Sequence, residues 1–131
     1  MNSFNLNNYP IINLYKKASV KSEIITQMIF GESFKIIDKS SKWFKIKIKE
    51  DNYIGYIKKK KFSPYKKPTH KVSVLLARIY KNPNFKNKIT SLPYASKIKI
   101  DKVSSNFSKF QNNWIEIKNI KPLKYKNKNI F

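Results

Sequence analysis

Apolar and ionic side chains alternate along much of this chain. Phe44, Ile46 and Ile48 interleave with Lys45, Lys47 and Lys49, and Ile98 and Ile100 with Lys97 and Lys99. A period of two belongs to a strand, whose successive side chains point to opposite faces of a sheet. The pattern therefore predicts sheets with an apolar inner face and a lysine-rich outer one. Polar separators at Gly31-Glu32, Lys39-Ser40-Ser41-Lys42 and Glu50-Asp51-Asn52 carry turn chemistry, so short antiparallel links should join the strands. No stretch reads as a convincing amphipathic helix.

The pattern occurs twice. Tyr15-Lys16 opens a segment that continues through Lys21–Ile24, Thr26–Gly31, Phe34-Lys35-Ile36 and Trp43-Phe44-Lys45-Ile46. Tyr80-Lys81 opens another, through Lys86–Ile89, Thr90–Ala95, Ile98-Lys99-Ile100 and Trp114-Ile115-Glu116-Ile117, offset by 64 or 65 residues until a longer loop ahead of Trp114. Repeated short strands predict an all-β chain of two consecutive small domains, each a barrel or a sandwich. Phe62–His70, with two prolines, reads as an extended connector between them.

Composition changes this picture in one respect. Apolar residues at 40% and aromatics at 15% suffice for a core despite a net charge of +22. Such a charge points to nucleic acid as a partner. However, every basic residue except Arg78 is lysine, and the wealth of Asn, Ile, Phe and Tyr is what A+T-rich coding supplies. Lysine also lacks the planar fork with which arginine grips phosphates and bases. The run Lys58–Lys61, continued by Lys66-Lys67, reads as a solvated edge that discourages aggregation, with phosphate tracking as the alternative.

Several chemistries lack their residues. With no cysteine there is neither a disulfide, a thiolate metal site nor a cysteine nucleophile in these residues. Glycine at positions 31 and 55 only leaves no phosphate-cradling loop and no nucleophile elbow. His70 has no second ligand at metal spacing, and the seven acidic residues form no acid–base pair. No cofactor is expected. The N-terminus has neither a signal peptide nor an anchor pattern, and no window is apolar enough to span a bilayer. A cytoplasmic protein without membrane contact is the expectation.

The first copy resembles the bacterial SH3-like domains that precede the catalytic domain in NlpC-type cysteine peptidases. Its matching features are Val20–Glu23, Thr26–Glu32, Lys42–Ile46 and above all Asp51-Asn52-Tyr53-Ile54-Gly55-Tyr56-Ile57, which is similar to the family's Asp-x-Tyr-x-Gly-Trp-Val. The second copy resembles a more divergent domain of that kind, with Ala95 in place of Gly31 and without a counterpart of Tyr53–Tyr56. On this reading residues 1–13 are an N-terminal extension, 14–63 the first SH3-like barrel, 64–70 a connector, 71–121 the second barrel and 122–131 a basic tail.

The resemblance implies a non-catalytic module. The family's hydrolysis uses a Cys-His-His constellation in a further domain, which these residues do not supply; that domain would act in cis or in trans. It also implies that the first barrel forms a wall of the pocket for a peptidoglycan stem peptide or muropeptide. Tyr53 and Asp51 are the positions implied for contact, a carboxylate pairing with the peptide's ammonium group and a phenol adding a hydrogen bond. Tyr56, where the family has tryptophan, implies a modified wall.

Each residue also has a plainer reading. Asp51 beside Asn52 suits a turn that holds its own backbone, Tyr53 suits strand packing, and Trp43 and Trp114, at matching places, suit core or edge packing. A lysine-rich nucleic-acid-binding barrel is the alternative function. Against it, the aromatics recur at core-like positions and do not cluster with the lysines. Binding of a proline-rich segment rests on fold analogy alone.

Overall fold

The computed structural model describes residues 4–123 and divides the chain into two compact units, residues 1–66 and 67–131. Both are all-β, SH3-like barrels. In the first, β1 (Asn5–Leu6), β2 (Ile11–Tyr15), β3 (Ile24–Ile29), β4 (Ser33–Lys39), β5 (Trp43–Ile48), β6 (Ile54–Lys58) and β7 (Ser63–Pro64) form one sheet in the order β3-β2-β6-β5-β4-β1-β7. Every neighbouring pair in it is antiparallel.

The alternation read from the sequence closes this barrel. Ile46, Ile48 and Ile57 are fully buried with Leu14, Met28 and Phe34, while Lys47 and Lys49 are exposed. Phe44 is half-buried and packs against the same core with Phe62. Gly55 answers to close packing: a Cβ there would stand 2.7 Å from both the Leu14 side chain and the Tyr15 carbonyl oxygen.

The second unit contains β8 (His70–Val72), β9 (Leu76–Tyr80), β10 (Lys88–Pro93), β11 (Lys97–Ile98), β12 (Lys102–Ser104), β13 (Phe107–Phe110), β14 (Asn113–Glu116) and β15 (Ile120–Pro122), with a 3-10 turn over Ile117–Asn119. Its sheets run β10-β9-β14-β13-β12 and β11-β8-β15. The first order repeats β3-β2-β6-β5-β4. The second repeats β4-β1-β7, with the single β4 of the first unit divided into β11 and β12.

Strand register aligns the repeats closely and corrects the sequence-based match. Tyr15 stands opposite Tyr56, and Tyr80 opposite Trp114. Lys45 stands opposite Tyr56, and Lys109 opposite Trp114. Trp114 is thus the counterpart of Tyr56, and Phe107 that of Trp43. The link ahead of Trp114 is the shorter one. Gln111 and Asn112, at φ 47° and 64°, form a two-residue hairpin turn with both residues left-handed. The first unit covers the equivalent stretch with residues 47–54, which lengthen both strands and turn over 49–53. Trp43 and Trp114 match in residue type but not in place, since Trp114 stands where the first unit has Tyr56.

Register also moves the expected boundaries. β1 pairs with β4 and β7, as β8 pairs with β11 and β15; Pro64 faces Asn5 as Pro122 faces His70. Residues 5–6 and 11–13 are strands of the first barrel and not an extension. Pro64 and His70 lie in closing strands and not in a connector, and so does Pro122, the first residue of the expected tail. The rest of that tail beyond Leu123 lies outside the described residues.

Candidate functional site

The run from Asp51 to Ile57 begins with a turn and ends in a strand. Asn52 has φ 62°, a left-handed conformation that asparagine tolerates better than most residues. Asp51 Oδ1 accepts the Tyr53 amide at 3.1 Å, an Asx turn of the kind expected for a carboxylate at this place. The turn is tied to β5, because the Ile48 amide donates to the Tyr53 carbonyl and the Asn52 amide to the Ile48 carbonyl, both at 2.9 Å. Tyr53 is consequently held outward, 46% exposed, beside an exposed Asp51.

Tyr56 is not part of that pair. β6 buries Gly55 and Ile57, so Tyr56 belongs to the opposite, outer face with Ile54 and Lys58. There it lies opposite Lys45, whose ammonium sits 5.9 Å from its ring centre. The structure brings Asp51 and Tyr53 together and assigns Tyr56 to another neighbourhood.

That neighbourhood went unread in the sequence. Tyr15 on β2 packs edge-on against Trp43 at 5.7 Å, next to Tyr56. Trp43 forms part of a cleft of 590 Å³ together with Ser19, Val20, Lys42, Lys58 and Lys59. A signal was available: Trp43 shares the parity of Lys45 and Lys47, the outer side of the period-two pattern. Aromatics also do gather with lysines, contrary to expectation. Lys35 and Lys49 approach the Phe4 ring at 4.9 and 5.1 Å, Lys59 approaches Phe44 at 5.5 Å and Lys60 approaches Tyr9 at 4.7 Å.

The turn has no twin in the second unit, where Gln111-Asn112 replaces it. His70 there is partly covered, and burial holds its imidazole below the usual value. The Thr69 hydroxyl lies 2.7 Å from its Nδ1 and accepts the Ile100 amide at 3.0 Å. Among the described residues no three His, Cys, Asp or Glu side chains gather as a metal site requires. Nor is any described helix long and apolar enough to cross a membrane.

Residues 14–62 match the bacterial dipeptidyl-peptidase SH3 domain. This SH3 domain is a non-catalytic accessory type, and the match includes Asp51, Tyr53 and Tyr56. Two solved structures are similar to the chain, NlpC2 and NlpC1 from Trichomonas vaginalis, at 17% and 16% identity and a TM-score of 0.40 each. The matches cover 100% and 98% of this chain and 51% and 48% of those. The chain therefore spans about half the length of these two proteins. No curated protein matches it.

Proposed function

We propose that the first SH3 domain positions a peptidoglycan stem peptide or muropeptide for an NlpC-type peptidase domain, supplied in cis or in trans. One observation carries this reading: the matched domain presents Asp51 and Tyr53 together on an exposed, hydrogen-bonded turn that the second unit lacks. An exposed carboxylate in a chain of net charge +22 is a rare place for a peptide's ammonium group to dock. The phenol beside it adds a hydrogen bond and an apolar face. Asp51 Oδ1 already serves the turn, so the same carboxylate orients Tyr53 and faces the ligand.

The test is a titration of the isotope-labelled full chain with L-Ala-γ-D-Glu at millimolar concentration. Amide shifts are expected at Asn52–Ile54 and not at Gln111–Trp114. In Tyr53→Ala, and in Asp51→Asn, which keeps a turn-forming side chain, the shifts should shrink at least severalfold. Binding is weak because one turn offers few of a pocket's walls. An unperturbed turn, both with the peptide and with an added catalytic domain, would sink the reading.

A further inference from the structure

The outer face of the first unit holds a surface that the peptide reading leaves unused. Trp43, Lys45 and Lys47 follow one another down that side of β5, each about 6.8 Å from the next, and Lys49 follows in the turn at its end. Lys35 stands directly opposite Lys47, and like charges so placed repel. At one end Lys35, Lys47 and Lys49 line a cavity of 140 Å³ with Phe4 and Asn52. At the other lies the 590 Å³ cleft beside Trp43, rimmed by Lys42, Lys58 and Lys59. Among the described residues no acidic side chain lines either hollow. Asp38, opposite Lys45, offsets part of the stripe's charge, and an extended anion laid along the remaining lysines would offset the rest.

The second unit shows what the cleft accepts. Its Tyr80, Phe107 and Trp114 correspond to Tyr15, Trp43 and Tyr56, and all three are buried. Phe85, from the β9–β10 loop, covers them, its ring 5.7 Å from Tyr80 and 5.2 Å from Phe107. The residue at the same distance along the chain from Tyr15 is Val20, 51% exposed, which cannot supply a ring. The aromatic site is therefore filled by the chain itself in one barrel and left open in the other.

We propose that this stripe binds single-stranded nucleic acid, its phosphates along the β5 lysines and one base in the cleft against Trp43. The ligand must combine a planar ring with regularly spaced negative charge. A single strand does so, and only an unstacked base can enter the cleft. Because the contacts are lysines and ring faces, with no arginine forks, recognition should tolerate any sequence. This inference rests on residues other than Asp51 and Tyr53, although Asn52 between them lines the 140 Å³ cavity.

The test uses the full chain and a fluorescein-labelled oligothymidylate, followed by anisotropy near physiological salt. K35Q/K47Q/K49Q should weaken binding about tenfold or more and lower the slope of log Kd against log salt by about 2, at ~0.7 per phosphate contact on single strands. K81Q/K86Q/K88Q removes the same charge from exposed positions of the second unit and should change affinity less than about threefold. An unlabelled strand should quench Trp43 emission, and Trp43→Phe should abolish that quenching. Equal losses in the two triple variants, or no binding near physiological salt, would overturn the proposal. So would inorganic polyphosphate or an acidic aromatic peptide binding as tightly and quenching as much.

Discussion

Ala95 has a backbone φ of 72°, at the turn where the first unit places Gly31 at 89°. The two turns are closed alike, the Gly31 amide bonding to the Asn7 carbonyl and the Ala95 amide to the Val72 carbonyl. Fold demands the left-handed region at both places, and alanine's Cβ meets the following carbonyl oxygen there at a cost of ~1–2 kcal/mol. Ala95→Gly should stabilise the second unit by about 0.5–1 kcal/mol, that relief less the ~0.4–1 kcal/mol of extra freedom glycine has when unfolded. A higher urea midpoint for residues of the second unit would show it; a lower one would mean that the turn carries no strain. The substitution was legible in the sequence as a departure from the motif. Its meaning came from the dihedral angle.

At the scale of elements, the largest difference from the sequence reading concerns the short closing strands. Asn7 follows β1 and is fully buried. Its Nδ2 donates to the Met28 carbonyl at 3.1 Å and its Oδ1 accepts the Tyr9 amide at 2.9 Å. A buried polar group left without such partners costs ~1–3 kcal/mol. Asn7→Ala should therefore lower the stability of the first unit by about 1–3 kcal/mol in urea denaturation. Removing residues 1–8 should lower it further, since β4 would lose its β1 partner; an undiminished midpoint would mean these residues are an appendage after all. Periodicity did not reveal β1 and β7, because two residues are too few to show alternation. The longer β5 was plain in the sequence, since three isoleucine or phenylalanine positions interleave with three lysines.

At the scale of the whole molecule, 29 basic residues face seven acidic ones. Several of the acids serve the backbone: Glu32 Oε1 accepts the Ile29 amide, Glu50 the Ser33 amide and Asp38 the Lys39 amide. Those carboxylates keep their charge, but seven cannot balance 29 cations, so self-repulsion should weigh against the folded chain. Raising salt from about 0.01 to 0.5 M shortens the Debye length from about 30 Å to below 8 Å, and the thermal midpoint should rise with it. A midpoint that is flat or falls, measured by circular dichroism, would show the lysines to be spaced widely enough not to matter. The experiment separates repulsion within the fold from the salt-weakened binding expected of the β5 stripe.

Much followed from the sequence alone: an all-β chain, two copies of one barrel, and the Asp51-to-Ile57 run that marks the first copy. These are legible because alternation and turn chemistry are local, and a sheet imposes them wherever it forms. Tertiary structure alone decided the true register of the second copy, the role of the termini as closing strands and the separation of Tyr56 from Tyr53. It also decided that one aromatic cleft is open and its twin filled. The physical reason is that strand pairing joins residues far apart in the chain. A hairpin shorter by six residues, or a valine in place of a phenylalanine in a loop, carries its consequence only where the distant strands meet.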